Sequence, residues 1–541
     1  MSAAPPSVLM IVVDCARADR TLSPERTCVT PALDALRRRG ITFTTVIAET
    51  AATTPCFAGL LTGAYSARHG VCAVGGHRVA DELVMLPEVL RARGYYTIAE
   101  VTGPLLPAAG LARGFDEYNY RVALDYLSGP WGADLRRRLA GGGLRRPWFM
   151  LLHLWELHVP RQAPGEFRRP RYGATPYDRA LSHLDSQLAS LLESLPADTL
   201  VLVTGDHGEK TPQEQYRPGT AVDYARRLYD VDRAGALGVR AAAMLIGPLA
   251  MQQLRARLQP RLEQSSRRDA PAISRGGPWS SLRDLLDLLR LAPPWRLRDW
   301  LRLHRGGSAT GALRRTGGLS EHDTERRIRA LFERLGEPRV FDLYRRMWTS
   351  QFRRQLHEGH VLHVYDWLVR VPLVIGVRGD GPAARALHAT SGRTFDEQVR
   401  QVDVAAALLE LLDIASPEDF SPDGRSFVPL VRGRPWRAAP ALLSVTGRPR
   451  DLVMRGVRTE QYKYTFGPEN PELPRELYDL RRDPSEADNI AGEHTDLCRE
   501  MEALADSLLP ATAPRVSRLE GLTADEQRTL ELRLRELGYV E

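Results

Sequence analysis

Two short segments carry residue types that could hold a divalent cation. Asp14 follows one continuous apolar run, and Asp206 and His207 follow another, within the segment 205–209. Carboxylate oxygen and imidazole nitrogen are both good ligands for divalent metals, and the flanking glycines let the backbone turn sharply around an ion. The sequence therefore predicts that Asp14, Asp206 and His207 are metal ligands, with ordinary polar turns as the alternative.

A third segment, residues 53–63, offers a reactive hydroxyl. Pro55 is expected at the first helical position and Thr54 as the helix cap, which places Thr53 at a helix N-terminus. Backbone N–H groups at such a terminus favour an anion, and a hydroxyl beside a metal can act as a nucleophile. We therefore predict Thr53 as the catalytic nucleophile and as a further metal ligand. A simple capped helix is the alternative for this segment taken alone.

The elements that must position these residues alternate between strand and helix over the first 210 residues. Continuous apolar runs predict strands that are buried on both faces, and the segments between them predict helices. The alternation predicts an α/β fold with a mostly parallel central sheet, helices on both faces, and ligands at the carboxyl ends of the strands. The predicted strands are 8–13, 41–46, 95–101, 148–154 and 199–203, and the predicted helices are 31–39, 55–61, 87–93 and 177–194.

The rest of the chain predicts an insertion and a second, smaller unit. We expect a catalytic α/β domain over 1–432, containing a helical, Arg-rich insertion at 213–355 that acts as a lid. The segment 281–305 is amphipathic and basic, so a membrane-surface or dimer contact is the alternative to a lid. A C-terminal α+β subdomain is expected over 433–541, with alternating strands at 441–445, 452–457 and 461–466 in a small antiparallel sheet and two charged helices after them.

Composition narrows the class of protein. The 541 residues carry a net charge of +7, which does not by itself indicate nucleic acid and is compatible with a small anionic ester as substrate. The five cysteines have irregular spacing and are typical of a reducing compartment. The sequence shows neither a signal-peptide pattern nor an apolar stretch of about 18 residues, so we expect a cytoplasmic protein. The oligomeric state stays open.

The three segments, together with others in the same order, resemble the sulfatase family, a branch of the alkaline phosphatase superfamily. The resemblance implies an alkaline phosphatase-like fold and a metal-dependent ester hydrolase. It leaves out the insertion and the extreme C-terminus. The matching blocks are 11–14, 30–36, 61–65, 68–71, 158–160, 206–209, 359–360, 365–366, 371–373, 456–459, 462–464 and 476–480 with 483–484.

One departure from the family pattern bears on the chemistry. Sulfatases carry Cys-x-Pro-x-Arg or Ser-x-Pro-x-Arg, and the Cys or Ser is oxidised to formylglycine. Counting back from Pro55, Thr53 takes the nucleophile position and Phe57 takes the Arg position. Cys56 lies three residues late and is expected to be a small buried helix residue. The methyl group on Thr53 Cβ prevents oxidation to an aldehyde, so an ester on Thr53 must be hydrolysed by water attack on its central atom.

That requirement favours phosphorus over sulfur. The leading hypothesis is a hydrolase or transferase that acts on a phosphate ester, phosphodiester or phosphonate through a covalent Thr53 intermediate. The first alternative is a sulfuric ester hydrolase that uses unmodified Thr53. The second is a degenerate sulfatase fold that serves as a binding module. Phe57 in place of the family's arginine and Cys15 in place of its second carboxylate support this alternative.

The resemblance also implies further site residues. His158 matches a His-x-Pro segment, Lys210 follows the metal motif, and His360 follows the glycine of a later block. We expect all three to act in catalysis and in binding the substrate anion, with His363 as a weaker rival to His360. Arg17 and His69 are expected to support the site.

The metal is the remaining expectation from the resemblance. The family's usual second carboxylate after Asp14 is replaced by Cys15. This favours a single divalent ion, and the ligand set suits Mn²⁺ or Zn²⁺ at least as well as Ca²⁺.

Overall fold

The computed structural model describes residues 5–121, 125–228, 336–379, 390–446 and 452–510, together with residues 258, 329, 332 and 333. The chain divides into two compact units, and every site residue expected above lies in the first. The first unit comprises Met1–Arg217, Glu358–Arg448 and Leu452–Leu522, and the second comprises Pro218–His357, Pro449–Asp451 and Thr523–Glu541.

A nine-stranded sheet lies at the centre of the first unit. Its strand order is β4-β3-β5-β1-β6-β7-β2-β8, and β9 also pairs with β2. All pairs are parallel except those of β7, which runs antiparallel to both β6 and β2. The strands are β1 (Ser7–Val13), β2 (Ile41–Ile47), β3 (Tyr96–Val101), β4 (Glu117–Tyr120), β5 (Trp148–Leu154), β6 (Thr199–Gly205), β7 (Arg370–Arg378), β8 (Arg393–Phe395) and β9 (Val399–Arg400).

A second, four-stranded sheet is antiparallel throughout, with the order β10-β11-β12-β13. The predicted fold class, a mostly parallel sheet with a small antiparallel sheet near the C-terminus, is therefore confirmed. The strands of this sheet are β10 (Ala441–Val445), β11 (Met454–Arg458), β12 (Tyr462–Phe466) and β13 (Glu476–Asp479).

Helices cover both faces of the large sheet. Alternate residues of β1 show this, because Val8 and Met10 lie in one apolar cluster whereas Leu9 and Ile11 lie in another. The helices are α1 (Ala18–Leu22), α2 (Pro31–Arg39), α3 (Thr53–Thr62), α4 (Ser66–His69), α5 (Leu86–Ala92), α6 (Pro130–Ala140), α7 (Pro176–Glu193), α8 (Ala221–Leu228), α9 (Glu337–His357), α10 (Asp366–Val369), α11 (Asp403–Leu411), α12 (Val428–Val431) and α13 (Thr495–Ser507).

The cluster on the first face includes side chains of α3, α5 and α11, and the cluster on the second includes side chains of α2, α6 and α7. The start of α2 shows how the layers are joined. Its first free N–H groups, from Ala32 and Leu33, both donate to the carboxylate of Asp185 on α7, each at 2.9 Å.

Within the predicted insertion, the structure describes two helices, α8 and α9, which belong to the second unit. The amphipathic segment 281–305 and the last of the expected charged helices, beyond residue 510, lie outside the described residues. Among the helices that the structure describes, none combines the length and the apolar character needed to cross a membrane.

Candidate metal and nucleophile site

The site lies at the carboxyl ends of β1 and β6. These strands are parallel neighbours with Val13 opposite Gly205, so the residues that follow them meet at one edge of the sheet. Asp14, Asp206 and His207 are completely buried there, and one potential ligand atom from each lies within 4.8 Å of the others. The structure thus brings together the three side chains that the sequence assigned to a metal.

Thr53 reaches the same place from the start of α3. Its Oγ1 lies 3.3 Å from Asp14 Oδ2 and 3.3 Å from His207 Nε2. The predicted capping is wrong, because Ala52 is the N-cap and Thr54 donates to the carbonyl of Val74 at 2.7 Å instead. Pro55 is therefore the third helical residue, where a missing N–H still costs no intrahelical bond.

His207 is oriented as a metal ligand would be. Its Nδ1 lies 2.9 Å from the carbonyl of Gly208, which fixes the proton on that nitrogen. Nε2 then presents its lone pair 3.4 Å from Asp206 Oδ2, a buried oxygen with no hydrogen-bond partner among the described residues. Two electron-rich atoms that face each other in a buried space are stabilised by a cation between them.

His153 repeats this arrangement one strand away, on β5. Its Nδ1 lies 3.2 Å from the carbonyl of Thr102, and its Nε2 lies 3.4 Å from Asp14 Oδ2. Sequence reasoning missed this residue. A signal existed, because His153 is the one polar side chain in the fully buried strand Trp148–Leu154.

The two carboxylates of the site lie close enough for the charge of one to affect the other. Burial raises the pKa of Asp206, and the negative charge of Asp14 adds to the rise. Burial opposes ionisation of Asp14 too, but its contact with His153 holds the pKa of Asp14 well below its usual range. Like charges this close are stabilised by a divalent cation, and the donor set of carboxylate oxygen and imidazole nitrogen fits one.

Cys15 extends the cluster towards Glu209 and His360. Its Sγ lies 2.8 Å from Asp14 Oδ1, 3.3 Å from Glu209 Oε2 and 3.7 Å from His360 Nδ1. Burial and the surrounding carboxylates raise the pKa of the Cys15 thiol well above its ordinary value. The backbone of Cys15 has a φ of +62°, a conformation that is rare for residues other than glycine.

Glu209 joins the next group of side chains. Its Oε1 lies 3.2 Å from His360 Nδ1, and its Oε2 lies 3.3 Å from Arg161 Nη2. Burial opposes ionisation of Glu209, but His360 and Arg161 lower its pKa to about 2. Burial likewise opposes charge on His360, and Glu209 nevertheless raises the pKa of that imidazole. Arg17 supports the segment, since its Nη1 donates to the Glu209 carbonyl at 3.0 Å.

His158 borders the same space. Its Nδ1 lies 2.6 Å from the carbonyl of Val159, and its ring centroid is 4.1 Å from that of Trp155 and 5.4 Å from that of His360. Burial lowers the pKa of His158 to about 4, so the imidazole is neutral at pH 7. One of its ring nitrogens lies within 4.8 Å of potential ligand atoms of Asp14 and Cys15.

Lys210 is placed less directly. Its Nζ donates to the Thr211 carbonyl at 3.2 Å and lies 5.6 Å from the ring of Tyr216, and burial lowers its pKa. The backbone of Lys210 pairs with Gly359 through an isolated antiparallel bridge, which fixes the position of the neighbouring His360.

From the sequence, His363 could be mistaken for His360, and Cys56 for the nucleophile. The first is separate in space and the second is chemically inert. His363 lies 3.1 Å from Glu476 on β13 and stacks on Tyr365, in a different cluster from His360. Cys56 is buried, its thiol donates to the Thr50 carbonyl, and burial raises its pKa, as expected of an inert helix residue.

Phe57 occupies the position at which the family carries arginine. Its ring packs edge-on against His153, with centroids 4.8 Å apart. The basic group beside Asp14 is thus an imidazole from β5. His69 is buried, and burial lowers its pKa to about 3.

Comparisons with known proteins identify the family. Residues 6–232 match the family model described as Sulfatase, and residues 363–509 match the one described as N-sulphoglucosamine sulphohydrolase, C-terminal. A curated N-acetylgalactosamine-6-O-sulfatase of Bacteroides thetaiotaomicron is 27% identical over 120 residues, which cover 20% of this chain and 23% of that protein.

Solved structures extend the likeness over nearly the whole fold. A structure described as a 2-O GAG sulfatase is 14% identical, with a TM-score of 0.53 and coverage of 96% of this chain and 98% of that one. A phosphonate monoester hydrolase from Silicibacter pomeroyi is also 14% identical, with a TM-score of 0.52 and coverage of 96% and 98%.

Proposed function

Because the chain belongs to the sulfatase family of the alkaline phosphatase superfamily, we propose that it is a metal-dependent hydrolase of a phosphate ester, phosphodiester or phosphonate. The observation that carries the proposal is Thr53. Its hydroxyl lies 3.3 Å from both Asp14 Oδ2 and His207 Nε2 at the N-terminus of a helix. A threonine in this place can form an ester with phosphorus but cannot become the aldehyde on which formylglycine chemistry depends.

The residues of the chain suggest a two-step reaction. In the first step Thr53 Oγ1 forms a bond to phosphorus, the bond from phosphorus to the leaving oxygen breaks, and the Thr53 proton passes through water to that leaving oxygen. In the second step water attacks phosphorus and the bond to Thr53 breaks, so the hydroxyl is restored. A transferase would use an alcohol in place of this water.

A divalent ion held by Asp14, Asp206, His207 and Thr53 would supply Lewis-acid stabilisation of the developing charge. His158 is neutral and keeps a proton on Nδ1, so its other nitrogen is suited to accept the proton of the attacking water. Lys210 is proposed to offset the charge of the substrate anion, and His360, held by Glu209, borders the same space.

The test is a panel of aryl phosphate, bis-aryl phosphate, aryl phosphonate and aryl sulfate, each assayed with Mn²⁺, Zn²⁺ and Ca²⁺. We expect a phosphorus ester to be the preferred substrate. Brief reaction followed by acid quench and mass spectrometry should find one phosphoryl group on the peptide that contains Thr53.

Matched variants of α3 separate the nucleophile from its surroundings. Thr53→Ala should reduce kcat by at least about a thousandfold, and Thr53→Ser should restore part of the activity because it keeps the hydroxyl. Cys56→Ala, three residues along the same helix and also buried, should keep most of the activity. Full activity in Thr53→Ala would refute the proposed role of Thr53.

A sulfuric ester hydrolase that uses unmodified Thr53 is the second candidate, and the two matching family models favour it. A clear preference for aryl sulfate over every phosphorus ester would establish it in place of our proposal. Absence of turnover on the whole panel, with metal bound, would instead favour a binding module.

A further inference from the structure

We propose that Cys15 is a thiolate ligand of the metal centre, together with His207 and His360, and that it makes the centre select zinc over calcium. The inference rests on the proposed function only in that a metal is bound at this site. It concerns the side chain that replaces the second carboxylate of the family pattern.

The surroundings of the sulfur are the first argument. Two carboxylate oxygens, Asp14 Oδ1 and Glu209 Oε2, and one imidazole nitrogen, His360 Nδ1, lie 2.8 Å, 3.3 Å and 3.7 Å from Cys15 Sγ. A thiol has one proton and is a weak donor, so it can serve only one of the two carboxylate oxygens. A buried cation would stabilise the sulfur and both carboxylates together.

The distances between ligand atoms are the second argument. One potential ligand atom each from Cys15, His207 and His360 lies within 4.8 Å of the others, and all three residues are buried. The set Asp14, Asp206 and His207 meets the same condition. The two sets share His207, and Cys15 Sγ lies 2.8 Å from Asp14 Oδ1, so we place the thiol in the same centre as the carboxylates.

The backbone is the third argument. Cys15 holds a φ of +62°, with its N–H donating to Asp206 Oδ1 at 3.2 Å and its carbonyl accepting from Tyr177 at 2.7 Å. These bonds fix a strained conformation at the end of β1 and direct the residue toward the cluster. Strain of this kind is retained where the surrounding structure over-determines it, which is typical of functional sites.

The chemistry of the donors sets the preferred metal. Thiolate and imidazole are ligands of zinc and its neighbours, whereas calcium takes oxygen ligands almost exclusively. Binding forms a sulfur–metal bond and breaks the S–H bond, and the proton passes to the buffer. Metal uptake should therefore release one proton more from the native protein than from a variant without the thiol.

Cobalt(II) is the probe, because a thiolate bound to it gives an intense near-ultraviolet charge-transfer band. Chelator-treated protein is titrated with Co²⁺ in a thiol-free, anaerobic buffer. We expect the band in the native protein and in Cys56→Ser, a matched buried cysteine. We expect it to be lost in Cys15→Ser and Cys15→Asp, while the visible cobalt bands show that the ion still binds.

Competition measures the selectivity. After equilibration with equal Zn²⁺ and Ca²⁺, elemental analysis should find mainly zinc in the native protein. The ratio of zinc to calcium should fall at least about tenfold in Cys15→Asp. This is comparable with the loss of metal affinity that follows mutation of a residue hydrogen-bonded to a metal ligand.

A measurement on the native protein avoids any dependence on how the variants fold. Zinc X-ray absorption should show sulfur at about 2.3 Å from the ion. A shell of nitrogen and oxygen alone, or a cobalt charge-transfer band that persists in folded Cys15→Ser, would overturn the inference. A thiolate band in a protein that hydrolyses no ester would leave the inference standing and refute the proposed function.

Discussion

Lys463 offers a test of how the small sheet holds the site. Its side chain is 1% exposed, and its Nζ lies 3.0 Å from Asp366 Oδ1 and 2.7 Å from Glu486 Oε1. Arg458 makes the remaining ion pair, with its Nη2 2.8 Å from Asp366 Oδ2. Four buried charges therefore balance, and replacing Lys463 by Met leaves one excess negative charge.

The magnitude follows from these distances. At an effective dielectric constant of about 20, two unit charges about 3 Å apart attract by about 5 kcal/mol, and Lys463 makes two such contacts. Part of this lost attraction is offset, because the methionine variant avoids the desolvation cost of burying the lysine. Breaking a buried pair by removing one partner costs about 3–5 kcal/mol, which is the loss we expect in the free energy of unfolding.

Urea unfolding, followed by circular dichroism and by the fluorescence of the tryptophans, measures the loss. The control is the double variant Lys463→Met/Glu486→Gln, which restores the charge balance and should recover at least about 1 kcal/mol of it. A loss below about 1 kcal/mol in Lys463→Met would show that the lysine behaves as a surface ion pair, and the reasoning would be wrong.

Three further predictions concern the site and its supports. In Gly208→Ala the new Cβ would lie 2.1 Å from the carbonyl oxygen of Trp367, so we expect the metal segment to shift and kcat to fall by about a hundredfold. His153→Ala removes the imidazole beside Asp14 and should weaken metal binding by about 10–100-fold, measured by zinc titration. Burial raises the pKa of Asp185 from 3.8 to about 6, so the folded state holds this proton more tightly than the unfolded state. Stability from this group is present below the unfolded value and is lost as the pH rises through about 6, by about 3 kcal/mol; Asp185→Asn should remove that loss from the pH profile of unfolding.

Each of these three predictions has an outcome that would contradict it. Unchanged kcat in Gly208→Ala would mean that the loop tolerates the contact with Trp367. Native zinc affinity in His153→Ala would remove this imidazole from the support of the metal. A pH profile of Asp185→Asn that parallels that of the native protein would assign the pH dependence to other groups.

The sequence predicted the central strands well because their burial leaves a plain signal. Trp148–Leu154 has the predicted bounds, and Ser7–Val13 differs by one residue. The edge strand Glu117–Tyr120 was missed because it is short and only partly buried, so it lacks a continuous apolar run. The strand Glu476–Asp479 was also not predicted, because it too is short.

The sequence could predict those candidate site residues that are marked by the residues next to them in the chain. Asp14, Asp206 and His207 follow apolar strands directly, and neighbouring parallel strands bring them together. The start of α3 was predicted two residues late, since Pro55 suits the third helical position as well as the first. The contact of Glu209 with His360 joins distant parts of the chain, and residue spacing alone carries no signal for it.

The segment that carries His360 is held by residues from late in the chain. Asp366 pairs with Arg458 and Lys463, and Tyr365 donates to Glu476 at 2.9 Å. Asp14, Thr53 and His207, by contrast, come from the first half of the sequence. During synthesis the proposed nucleophile and the proposed metal ligands would therefore emerge from the ribosome long before the groups that fix His360. We therefore expect competence for the proposed reaction to be acquired late, when the last strands pair, and a chain that ends before those strands to be inactive.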